Sequence, residues 1–121
     1  MAQKILIIDD DDNNLSLFST VLKCDGYETL QAKDGAEGIK LAETEKPNLI
    51  LMDIQMPVMD GFTAIRILRS QPPTRNIPSI ALTSYALAEG REGFLKRGFV
   101  DFIPKPIKLK EFLRIIEGHL T

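Results

Sequence analysis

Five short apolar runs alternate along this chain with segments of helical spacing. Lys4 to Ile8 carries consecutive apolar residues, the pattern of a central parallel strand covered on both faces. Asp11 or Asp12 supplies a cap for the helix that follows. There Leu15, Phe18 and Leu22 recur at helical spacing, Val21 widens the stripe, and Gly26 closes it. Tyr27 to Leu30 reads as a second strand. Asp34 reads as the N-cap of a helix to about Thr44, buried through Ala36, Ile39 and Ala42, and Pro47 marks the next turn.

Leu49 to Met52 is the third expected strand, and Asp53 follows it. Gln55 to Gly61 reads as a loop, with Pro57 and the turn pair Asp60-Gly61. A helix from about Phe62 to Arg69 buries Phe62, Ile65 and Leu68. Gln71 to Pro78 holds three prolines and is loop. Ile80 to Leu82 forms the fourth strand, ended by Thr83 and Ser84. Ala86 to Arg97 reads as a weak helix, because Gly90 and Gly93 each cost roughly 1 kcal/mol relative to alanine. Gly98 stops it. Val100 to Ile103 is the fifth strand, and Pro104-Lys105-Pro106 a rigid break. Leu109, Phe112, Leu113, Ile116 and Leu120 share one face of the last helix.

Strand and helix thus alternate five times. Short connections and right-handed crossovers imply a doubly wound α/β fold, with a five-stranded parallel sheet and helices on both faces. At 121 residues the chain has room for one domain, expected over residues 1–121, with no output domain. Net charge is −2, and lysines and arginines are dispersed, so no nucleic-acid footprint is visible. The single cysteine, Cys24, excludes an internal disulfide and reads as a partly buried small side chain. No apolar stretch approaches the roughly 20 residues that cross a bilayer. No signal peptide precedes the first strand, so no membrane insertion and a cytoplasmic location are expected.

In doubly wound sheets the ligand crevice lies beyond the carboxyl ends of the strands. The polar residues at those ends are Asp9, Asp10, Asp53, Thr83, Ser84 and Lys105. Carboxylates that meet at one sheet edge repel unless a cation shares them. Oxygen donors without histidine or cysteine suit Mg²⁺, with Mn²⁺ as the alternative. A carboxylate such as Asp53 is able to carry a phosphoryl group as an acyl phosphate. Thr83 offers a hydroxyl and Lys105 a mobile charge to the phosphoryl oxygens.

The motifs ILIIDD (Ile5 to Asp10), LILMDIQMPVMDG (Leu49 to Gly61), ALTS (Ala81 to Ser84) and FIPKPI (Phe102 to Ile107) occur in this order. With them the chain resembles, over essentially its whole length, the receiver domain of bacterial two-component response regulators, which has a flavodoxin-like (β/α)5 fold. That resemblance implies that Asp53 is the phosphoacceptor. Asp10 would be a direct Mg²⁺ ligand, Asp9 would assist through water, and the backbone carbonyl of Gln55 would complete the protein's share of the shell. Thr83 and Lys105 would contact the phosphoryl group, and Thr83 with Phe102 would switch the surface of the fourth helix, fifth strand and fifth helix. Phe102 lacks a hydroxyl, so such a switch works by ring packing. Gln55 and Tyr85 would tune hydrolysis, the tyrosine ring shielding the acyl phosphate. Ser84 stands where alanine is more usual, and a cis bond is expected before Pro106. The implied partners are a histidine kinase or histidine phosphotransfer protein and a downstream protein target.

Two rival classes fail on particular residues. Phosphatases of the haloacid-dehalogenase type place a second aspartate two positions after the nucleophile, and here that position is Gln55. Nucleotide-binding α/β domains need GxxxxGK[ST] or GxGxxG after the first strand, and neither is present. A receiver fold that docks a protein without phosphorylation is the alternative left open.

Overall fold

The computed structural model describes residues 2–84 and 90–120. The elements are β1 (Lys4–Ile8), α1 (Asp12–Cys24), β2 (Glu28–Ala32), α2 (Gly35–Glu45), β3 (Leu49–Asp53), α3 (Gly61–Ser70), β4 (Ser79–Thr83), α4 (Arg91–Lys96), β5 (Asp101–Pro104) and α5 (Leu109–Leu120). The strands form one parallel sheet in the order β2-β1-β3-β4-β5. This is the flavodoxin-like (β/α)5 arrangement.

Consecutive apolar residues in the central strands feed two cores, because strand side chains alternate in direction. Leu6, Ile8, Ile50, Met52 and Ala81 face one side, against Ile39 and Ala42 of α2, Ala64, Ile65 and Leu68 of α3, and Phe94 of α4. Ile5, Ile7, Leu49, Leu51, Ile80, Leu82 and Ile103 face the other. They meet Leu15, Phe18 and Leu22 of α1 and Phe112 and Ile116 of α5. Phe18 and Phe112 stack there with centroids 5.1 Å apart. Each fully buried large apolar side chain contributes about 1.5–3 kcal/mol.

Helix starts follow the caps. Asp11, Asp34 and Asp60 accept hydrogen bonds from the backbone amides of Asn13, Glu37 and Thr63. Several expected details shift. β2 begins at Glu28 and runs to Ala32, so Tyr27 precedes it; edge position lets polar Gln31 belong to a strand. β5 is displaced by one residue, to Asp101–Pro104. Ala36 is exposed, and Gly35 and Gly38 turn inward in its place. The Gly38 backbone lies against the Ile8 side chain, where a β-carbon would clash. Phe62 is half-buried and Leu109 is exposed. Cys24 ends α1 and is exposed rather than partly buried. The described part of the fourth helix is only Arg91–Lys96. The expected turns from Ala86 to Glu89 lie outside the described residues. No helix among the described residues is long and apolar enough to cross a membrane.

Candidate functional site: an acidic crevice at the strand ends

The register of β1 on β3 builds the site. Ile8 pairs with Met52, so Asp9 and Asp53 come next on neighbouring strands. Strand order reverses at this point, because β1 runs to β2 on one side and to β3 on the other. Such a switch point opens a crevice at the carboxyl edge of the sheet. There Asp9, Asp10 and Asp53 each bring a carboxylate oxygen within 4.8 Å of the others. Asp9 and Asp53 are buried and Asp10 is exposed.

Asp9 is fully enclosed. Its Oδ1 accepts from the Asp11 amide at 2.9 Å and its Oδ2 from Asn14 Nδ2 at 3.2 Å. Burial raises its pKa from 3.8 to about 6, and the Asp53 charge adds to the rise. The Asp11 amide, Lys105 and Asn14 oppose it. A buried carboxylate beside a second one is therefore costly to ionise. A hard divalent cation relieves that cost, and this all-oxygen donor set fits one. His119, the chain's one histidine, lies elsewhere, against Asp101.

Asp53 is held on one side. Its Oδ1 lies 3.2 Å from Lys105 Nζ and accepts from the Gln55 amide at 3.2 Å. Among the described residues both contacts of this carboxylate go to Oδ1, which leaves Oδ2 open. Thr83 is buried at the end of β4. Its carbonyl accepts from the Lys105 amide at 2.9 Å, tying the β4 end to the segment that carries the lysine. The Lys105–Pro106 bond is cis. Gly61 lets the β3–α3 loop close on the site: its amide donates to the Ile54 carbonyl at 2.9 Å. A β-carbon there would lie 2.8 Å from both the Asp53 carbonyl oxygen and Ile54 Cα.

The structure thus brings Asp9, Asp10, Asp53, Gln55, Thr83 and Lys105 to one crevice. Gln55 also meets Ser84, whose hydroxyl donates to Gln55 Oε1 at 2.8 Å. Phe102 lies apart, with its ring stacked on Phe94 at 4.8 Å and 18°. Tyr85 lies outside the described residues. Sequence reasoning missed Asn14, which anchors Asp9 from the first turn of α1. Its only signal was the polar position facing back toward β1. It also missed Val58, a fully exposed β-branched residue held at φ +69° in the loop after β3.

A doubly wound sheet with three carboxylates and a lysine at its switch point defines a signalling receiver of the CheY-like class. The chain belongs to the response regulator receiver domain family, whose model matches residues 5–117. It is 34% identical over 120 residues to the polar-differentiation response regulator DivK of Brucella anthropi, covering 99% of this chain and 98% of that one. Among solved structures, the receiver domain of the Pseudomonas aeruginosa sensor histidine kinase PA1611, with a magnesium ion in its active-site cleft, is 36% identical. Its TM-score is 0.88, over 99% of this chain and 98% of that one. Chemotaxis protein CheY4 of Vibrio cholerae superposes with a TM-score of 0.91 at 28% identity, over 99% and 100% of the two chains.

Proposed function

We propose that Asp53 takes a phosphoryl group from a phosphohistidine on a histidine kinase or phosphotransfer protein, and that the product signals to a downstream protein. The observation that carries this reading is the one-sided restraint of Asp53: Oδ1 is held by Lys105 and the Gln55 amide, and Oδ2 is open. In the proposed reaction Oδ2 attacks phosphorus. The new P–O bond forms as the P–N bond breaks, and the departing imidazole nitrogen keeps the electron pair. Hydrolysis adds water at phosphorus and returns the carboxylate and inorganic phosphate.

The side chains of Asp9, Asp10 and Asp53 with the Gln55 carbonyl would hold Mg²⁺ or Mn²⁺. When bound, the ion neutralises carboxylate and phosphoryl charge together. Lys105 exchanges its Asp53 oxygen for a phosphoryl oxygen, and Thr83 donates its hydroxyl to another. By the family resemblance, Gln55 and Tyr85 are the positions that would tune its hydrolysis. Phe102 transmits the state through its packing on Phe94. Beside Lys105, a groove of about 260 Å³ lined by Asn14, Leu17, Phe18, Pro106 and Ile107 suits the docking of the donor protein.

The test is intact mass after incubation with Mg²⁺ and acetyl phosphate. One added phosphoryl group is expected, absent in Asp53→Ala. Folded wild-type protein without an adduct would defeat the reading and leave docking without phosphorylation.

A further inference from the structure

A second cavity, of about 450 Å³, runs along α3 to the end of α4. It is lined by Phe62, Arg66, Arg69, Lys96, Arg97 and Gly98, and shares no residue with the acidic crevice. Phe62, Arg66 and Arg69 follow one another at spacings of four and three, which puts them on one stripe of α3. Lys96 and Arg97 approach from the end of α4. Among the described residues, four cations and no acid line this cavity, on a chain whose net charge is −2. Among the described residues none of the four is ion-paired.

Two of the cations are spoken for by backbone. Arg69 donates from Nε to the Gly98 carbonyl at 2.8 Å, and from Nη1 to the carbonyls of Thr74 and Arg75. It thereby satisfies loop carbonyls that would otherwise repel an anion. Arg97 donates from Nη1 to the Gly93 carbonyl at 2.8 Å, and its guanidinium carbon sits 5.0 Å from the Phe62 ring centroid. That contact orients the fork. The side chains of Arg66 and Lys96 make no hydrogen bond or ion pair among the described residues. One basic residue near each helix end answers the helix dipole. Arg66, in mid-helix, and the surplus donors of Arg97 are not explained that way. Burial also lowers the pKa of Arg69, so its charge stands at a cost that a counter-ion would relieve.

We propose that this cleft binds a small soluble ligand carrying two or more phosphate charges, of the pyrophosphate-ester class. The volume lies in the range of small-ligand sites. Guanidinium forks match phosphate oxygens in pairs, and a lysine adds a point charge. Among the described residues Phe62, half-buried, is the one large apolar residue in the lining, whereas a membrane surface asks for several apolar side chains to insert.

The test is an amide-resolved NMR titration with inorganic pyrophosphate in magnesium-free, low-salt buffer. Saturable shifts are expected at residues 62–69 and 96–98. Affinity should fall about tenfold or more in Arg66→Gln/Lys96→Gln, which loses two charge-assisted contacts. Both residues are exposed, so the fold should survive, and circular dichroism checks it. Lys40→Gln/Lys110→Gln, at exposed positions outside the cleft, should bind as wild type does. Asp53→Asn, which lacks the acceptor carboxylate, should still bind pyrophosphate saturably at this cleft, which separates this result from the fate of the phosphoacceptor reading. Shifts scattered over the surface lysines, or equal affinity in the Arg66/Lys96 variant, would overturn the proposal. So would binding confined to phosphatidylglycerol vesicles or to a polyglutamate peptide.

Discussion

Asp9→Asn should stabilise the metal-free protein at neutral pH, although it removes a charge from a buried hydrogen-bonded site. The Asp9 carboxyl is moved by burial, and then by the nearby Asp53, from 3.8 to about 6. A raised carboxyl binds its proton more tightly in the folded chain than in the unfolded one. Folding stability contributed by this group therefore falls as pH rises from 3.8 to about 6, and the full penalty stands above that window. Such a change corresponds to at most ~3 kcal/mol. Solvent reaching the cluster past exposed Asp10 reduces it, so about 1–2 kcal/mol is expected. Asparagine keeps an oxygen for the Asp11 amide, and the neighbouring Asn14 amide is free to turn its own oxygen toward the new NH₂ group.

The assay is urea denaturation of wild type and Asp9→Asn at pH 7.5 and pH 4, each with chelator and with excess Mg²⁺. With chelator at pH 7.5 the variant should be the more stable by about 1–2 kcal/mol, or roughly 3–10 °C in melting temperature. The gap should close at pH 4, where the wild-type carboxyl is largely protonated. Mg²⁺ at pH 7.5 should raise wild-type stability and change the variant less. Other carboxylates cancel in the difference between the two chains. A variant that is less stable than wild type at pH 7.5 in chelator, with an unchanged urea slope, would refute the reasoning.

Two further outcomes follow from the same geometry. Gly61→Ala puts a β-carbon 2.8 Å from the Asp53 carbonyl oxygen and from Ile54 Cα, both backbone atoms that yield poorly. A loss of about 1–3 kcal/mol is expected by urea denaturation, with slower adduct formation from acetyl phosphate. At Asp101, burial alone would raise the pKa, but hydrogen bonds from His119, the Phe102 amide and Arg91 outweigh it and the carboxyl is held low. A lowered carboxyl contributes stability above its unfolded value of about 3.9, and loses it as pH falls through the lower folded value. Wild type should therefore lose its advantage over Asp101→Asn as denaturation curves are taken from pH 5 to pH 3; a constant difference would argue against the clasp.

The sheet was legible because its central strands are apolar without a break, a pattern that only burial on both faces explains. Leu49 to Met52 and Ile5 to Ile8 placed Asp53 and Asp9 correctly before any register was known. The edge was harder. The expected strand stopped at Leu30, yet polar Gln31 and Ala32 also belong to β2, whose outer side has no neighbouring strand among the described residues. Inward-facing residues on α2 were misjudged because hydrophobicity favoured Ala36, while close approach to Ile8 selects Gly38. Side-chain polar contacts left almost no trace. Asn14 reaches Asp9, and Ser84 reaches Gln55 across 29 positions, through geometry that exists only after folding.

The arrangement of the crevice also suggests why a change at Asp53 need not stay local on the proposed reading. Lys105 is the cation placed against the Asp53 oxygen, and its backbone is tied to the end of β4 by the Thr83 carbonyl. Just upstream in β5, Phe102 stacks on Phe94, which stacks in turn on Phe62 beneath Arg97. A phosphoryl group draws Lys105 from one oxygen to another and shifts the balance on a segment whose other end carries that stack. Rings packed at 4.8 Å and 6.1 Å exchange one packing for another rather than deform smoothly. The basic cleft lies at the far end of the same stack. If the two sites share this two-state element, pyrophosphate affinity at the cleft and phosphoryl occupancy at Asp53 must be linked with the same sign in both directions. Phe94→Leu, which removes the middle ring and keeps an apolar side chain, should weaken that linkage more than it weakens either site alone.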